Sequence, residues 1–89
     1  DSLGALMGEG NSLYALGDLT GAEKAFRRAS TVAPGNGATH NNLAHVLAEQ
    51  GRYEAALESV DRAIQSGGRQ RQVFEQTRKE IKNKMRQVE

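Results

Sequence analysis

A self-similarity with a period of 34 residues runs through this chain and limits what it can fold into. Gly10 is matched by Ala44, Leu13 by Leu47, Gly17 by Gly51, Leu19 by Tyr53, Ala22 by Ala56, Phe26 by Val60 and Ala29 by Ala63, all at the same offset. Repeats of this length belong to architectures in which each unit leaves a hydrophobic face bare until a neighbour covers it. Within each unit the rhythm is helical. Leu6, Gly10, Leu13 and Leu16 recur at three- and four-residue intervals, Gly17-Asp18 interrupts, and Ala22, Phe26, Ala29 and Val32 resume the pattern. The second unit runs from Ala38 to Gln50, breaks at Gly51-Arg52, continues from Tyr53 to Ser66 and stops at Gly67-Gly68. No stretch alternates with a period of two, so no strand is predicted.

Each unit therefore reads as two amphipathic helices joined by a tight turn. Thr20 is predicted to start the second helix through a capping box with Glu23 in T-G-A-E. Pro34-Gly35-Asn36-Gly37 ends it, because that stretch lacks helix propensity and one backbone donor. Aromatic residues make up only 4% of the chain, so the core is expected to be aliphatic and rich in alanine. Small residues at 10/44, 22/56 and 29/63 let helix backbones approach closely, and Phe26 and Val60 fill the remaining space.

Residues 69 to 88 continue as a single helix whose apolar stripe is Phe74, Ile81, Met85 and Val88. In the 34-residue register Phe74 takes the place of Leu6 and His40, and Ile81 that of Leu13 and Leu47. This tail is expected to cap the stack, apolar inward and solvated outward, with Glu75–Lys79 and Glu80–Lys84 pairs on its polar face. The N-terminal edge has no such cover, since Leu3, Leu6 and Met7 arise immediately. The expectation is cover from upstream repeats or another domain, or self-association into a homo-oligomer. A start at Asp1 rather than Met predicts a processed protein or a piece of a longer one.

At 89 residues the chain is one domain at most, which excludes a large enzyme. Its 37% hydrophobic and 26% charged content fits a folded chain. Without Cys there is no disulfide, thiolate zinc site or cysteine nucleophile, and cytoplasm and bacterial periplasm are equally compatible. No apolar stretch approaches the ~20 residues of a membrane span, so no membrane partner is expected. The net charge of +1 hides a division. Arg69, Arg71, Arg78, Lys79, Lys82, Lys84 and Arg86 make the tail basic, whereas the rest is acidic overall.

The residues Leu6, Glu9, Gly10, Leu13, Ala22, Phe26, Ala29 and Pro34, with their second set His40, Leu43, Ala44, Leu47, Ala56, Val60 and Ala63, resemble the tetratricopeptide repeat. The resemblance implies an all-α solenoid of two antiparallel helix-turn-helix hairpins plus a capping helix, five helices in all. The expected organisation is one domain over 1–89, with repeats at 3–36 and 37–68 and the capping helix at 69–88. Glu9 stands where the family has Leu, and Leu6/His40 and Leu13/Leu47 replace its large aromatics, so the first hairpin is expected to pack less tightly.

No catalytic site is expected. No serine lies in G-x-S-x-G, and neither Gly8-Glu9-Gly10 nor Gly35-Asn36-Gly37 extends to a phosphate-binding motif. His40 and His45 point apart on a helix with no acidic residue to complete a metal set, so no metal or cofactor is expected; His40 reads as a core-edge residue and His45 as a surface one. Glu75 and Glu80 interrupt the basic tail and no stacking aromatic is free, so nucleic acid is not an expected partner. The family resemblance implies a non-catalytic scaffold whose first helices line a concave groove for a protein or peptide partner. Its positions here are Met7, Gly8, Asn11 and Tyr14, then Asn41, Asn42, His45 and Glu49, then Glu75, Gln76 and Lys79. Asn11 and Asn42 match the asparagines with which co-chaperone members clamp a terminal carboxylate. Met7, Gln72 and Gln76 occupy the cationic places, which disfavours that ligand. A second reading makes the chain a regulatory or substrate-docking appendage of a larger enzyme, because the run from Gly67-Gly68 into one final helix is similar to repeat tails on bacterial papain-like peptidases.

Overall fold

The computed structural model describes residues 2–89; Asp1, which the expected domain includes, lies outside the described residues. Five helices follow in order: α1 (Leu3–Ala15), α2 (Leu19–Val32), α3 (Gly37–Glu49), α4 (Tyr53–Gln65) and α5 (Arg71–Gln87). No strand occurs among the described residues. The chain is an all-α repeat solenoid in which α1/α2 and α3/α4 form hairpins, α2 packs on α3, and α5 closes against α4 and α3.

The two hairpin turns have the same chemistry. Gly17 (φ 83°) and Gly51 (φ 77°) both adopt the left-handed conformation that glycine tolerates without a Cβ penalty. In the first turn Gly17 N–H donates to the Tyr14 carbonyl and Asp18 N–H to that of Leu13; in the second, Gly51 donates to Ala48 and Arg52 to Leu47. This paired closure satisfies carbonyls that a helix end otherwise leaves bare. The predicted capping box at Thr20 does not form. Helix α2 begins a residue earlier, and the Asp18 carboxylate caps it by accepting from Gly21 N–H at 2.9 Å. Glu23 is drawn instead to Arg27, Gln50 and Arg52.

Both phenylalanines of the chain pack on glycines. A Cβ at Gly10 would lie 2.5 Å from the Phe26 ring, so only glycine lets that ring reach the α1 backbone. A Cβ at Gly37, the first residue of α3, would lie 2.6 Å from the Phe74 ring and would also strike the Ser66 hydroxyl. Around these rings lie fully buried Ala22, Ala44, Ala56, Val60 and Ala63, the repeat positions picked out by the 34-residue offset. The burden is unequal: α1 buries only Leu6 and Gly10, whereas α3 is covered from several sides.

Helix α5 buries Phe74, Thr77 and Ile81. The residue in register with Gly10 and Ala44 is Arg78, so the close approach used within the hairpins is unavailable at that position of α5. Arg78 Nε instead donates to Asp61 Oδ1 of α4 at 2.9 Å. Three apolar stripe positions differ from expectation: Leu16 (81% exposed), Val32 (51%) and Val88 (66%) face outward, because each lies at a helix end beyond its partner helix. The expected Glu75–Lys79 and Glu80–Lys84 pairs are absent; Glu75 pairs with Arg71, and Lys84 reaches across to Glu49.

The glycines of α1 predict opposite outcomes in urea denaturation. Gly10→Val forces atoms into the Phe26 ring and should cost ~1–3 kcal/mol. Gly8→Ala meets nothing within 4 Å and should stabilise the helix by ~0.5–1 kcal/mol. Equal effects at the two positions would contradict the packing described.

Candidate functional site

Helices α1, α3 and α5 share one side of the molecule. Between α1 and α3, Asn42 Nδ2 donates to Asn11 Oδ1 at 3.3 Å. The bridge uses one donor and one acceptor, so Asn11 Nδ2 and Asn42 Oδ1 remain for another amide. Beside it, Asn11, Tyr14, Phe26, Asn42 and His45 line a hollow of about 260 Å³. The seat that Gly10 makes for Phe26 thus also supplies the hollow's apolar floor.

His45 separates this hollow from a second, of about 440 Å³, lined by His45, Gln72, Val73, Gln76, Thr77 and Glu80. The Thr77 hydroxyl donates to the Val73 carbonyl at 3.2 Å, and its oxygen lies 3.5 Å from His45 Nε2. His45 is half-buried, not the surface residue expected. Burial lowers its pKa, Glu80 and Glu49 pull it up, Lys84 pushes it down, and burial prevails. Burial raises the Tyr14 phenol, with Glu49 adding and Lys84 opposing, so Tyr14 remains a proton donor at neutral pH. Glu49 is held by Lys84 Nζ at 3.3 Å.

The structure thus brings together Asn11, Tyr14, Asn42 and His45, with Gln76 in the adjoining hollow and Glu49 on the same helix as His45. Other predicted groove residues sit elsewhere. Met7 is partly buried against the core and its sulfur accepts from the Thr39 hydroxyl at 3.3 Å. Asn41 is only 7% exposed, and its Oδ1 has no partner. Glu75 and Lys79 border a hollow of about 590 Å³ between α4 and α5, together with Asp61 and Arg78; Gln76 borders this hollow too. Gly8 has open space beside it.

The sequence reading missed Val73, Thr77 and Glu80 as lining residues. Thr77 was findable: it lies 34 residues after Leu43, a core position, so a polar group there must find a partner inside. Phe26 is a core residue as expected, 1% exposed, and the hollow ends against its ring. His40, expected at the core edge, is buried, its Nε2–H donating to the Pro34 carbonyl at 2.6 Å. Among the described residues no group of three or more His, Cys, Asp or Glu is placed to hold a metal ion, and no helix is long and apolar enough to cross a membrane.

The family model for the Tetratricopeptide repeat matches residues 7–70, well over half of the chain. The chain belongs to the tetratricopeptide repeat family. No individual curated protein matches it. Repeats of this family generally mediate protein–protein interaction and are typically non-catalytic scaffolds.

The lowered His45 pKa has a consequence for stability. An unfolded His takes up its proton near pH ~6.5, and the folded one only at lower pH. Between those values the unfolded state holds more protons, so stability must fall as pH drops through that window. Urea midpoints should decrease between about pH 7.5 and about pH 5.5, and His45→Gln should flatten that decrease. The same slope in the variant would show that His45 is not the titrating group.

Proposed function

We propose that this chain is a non-catalytic docking unit, with repeats over 3–36 and 37–68 and a closing helix over 69–88. It holds an extended segment of a protein partner along the face formed by α1, α3 and α5. The observation that carries this is the Asn11–Asn42 bridge beside an apolar-floored hollow. The bridge leaves one donor and one acceptor free, the complement of a peptide group, while the hollow accepts a side chain. Tyr14 and His45 wall the hollow, and Gln76 and Glu49 extend the face on either side. Met7, Gln72 and Gln76 stand where a carboxylate clamp needs cations, so the bound segment is internal rather than a chain terminus.

The test uses a peptide selected by the whole chain from a random display library. Combining Asn42→Ala with His45→Ala should weaken its binding at least tenfold, about 1.4 kcal/mol. The helical circular dichroism spectrum should remain unchanged. Undiminished affinity would remove both residues from the interface.

A further inference from the structure

The two hollows differ in charge, and the difference specifies what they accept. The first has no acidic or basic side chain in its lining once His45 is neutral, and its floor is the Phe26 ring. Its 260 Å³ is below the ~300–1,000 Å³ of clefts that hold a whole small ligand, so it suits a single side chain. The second hollow contains one charged group, the Glu80 carboxylate. Gln76 Nε2 donates to Glu80 Oε2 at 3.4 Å, and the other oxygen has no partner among the described residues. Lys84, one helical turn along α5 from Glu80, is engaged by Glu49. Val73, 56% exposed, gives an aliphatic surface beside that carboxylate on which a lysine or arginine stem can lie. Neither α1 nor α3 carries a single Lys or Arg. An anionic partner therefore finds no counter-charge on two of the three helices.

Resting on the docking function proposed above, we infer that the groove reads a two-point pattern in its partner. An apolar side chain fills the hollow between α1 and α3, and a lysine or arginine reaches Glu80 in the hollow between α3 and α5. An extended chain advances ~3.3 Å per residue and turns successive side chains to opposite faces. Side chains on one face of an extended segment recur at every second residue, so the two are roughly two or four residues apart. His45, shared by both hollows, stands between them. Its protonation places a like charge beside the partner's cation, so binding weakens in acid by a route separate from the stability effect.

Selection of random internal peptides on the whole chain tests this. The expected consensus is an apolar residue followed or preceded at roughly two or four residues by Lys or Arg. Glu80→Gln should weaken the consensus peptide about tenfold, the scale of a lost charge-assisted hydrogen bond. Replacing the peptide's cation by Gln should cost as much, and the two losses should not add. Glu80 is exposed, so a matching circular dichroism spectrum is expected for the variant. A consensus without a cation, an acidic consensus, or additive losses would overturn the inference and leave the docking function standing. Failure to enrich any peptide, or a groove occupied by a second copy seen as a dimer in sedimentation, would overturn both.

Discussion

Two aromatic rings lie where a side chain is missing, and the rest of the molecule depends on those contacts. The chain has two Phe and no Trp. Phe26 of α2 lies on Gly10 of α1, and Phe74 of α5 lies on Gly37 at the start of α3. Burying an aromatic ring is among the largest single contributions a small core receives. In a 9.6 kDa chain with an alanine-rich interior, few other groups supply comparable area. The first contact secures α1, which otherwise buries little beyond Leu6. The second fastens the closing helix to the second hairpin. Both also shape the proposed binding face: Phe26 floors one hollow, and docking of α5 brings Val73, Thr77 and Glu80 to the other.

Polar contacts then join units that apolar packing has brought together. Glu23 of α2 accepts from Gln50 and Arg52 in the turn of the second hairpin, and from Arg27 on its own helix. Partial burial pushes its carboxyl up, but those three hydrogen-bonded partners together outweigh burial and hold it below the usual range. Arg78–Asp61 and Lys84–Glu49 do the same for α5. These pairs are partly exposed, so each contributes little alone and mainly sets register.

Helix number, hairpin pairing and the core positions were legible because they follow from a repeated spacing of small and large residues. Gly17 and Gly51 announced both turns, since few other residues adopt their backbone conformation. The cap of α2 was misassigned because Asp18 and Thr20 both have capping side chains, and only the turn closing at Asp18 decides between them. The i,i+4 pairs on α5 failed for a related reason. Local spacing does not reveal that Glu49 of α3 stands opposite and takes Lys84, nor that Glu75 pairs with Arg71 one turn earlier rather than with Lys79. Of the proposed binding face, Asn11, Tyr14, Asn42 and His45 were picked out from the family register. Asn41, Glu75 and Lys79 lie outside the two hollows, because neighbouring helices cover or turn these positions in a two-hairpin stack. Family membership supplies the class of function; the charge contrast between the hollows came only from the coordinates.

A groove of three helices exists only if α5 is held as firmly as the hairpins it closes. Native-state hydrogen exchange measures this directly, because amides that open only on global unfolding share one free energy of opening. Amides from Phe74 to Ile81 should exchange with the same opening free energy as those of Val46 and Leu47 in α3. Exchange of α5 at rates near those of an unprotected helix, with α3 still protected, would contradict the architecture on which the binding face rests.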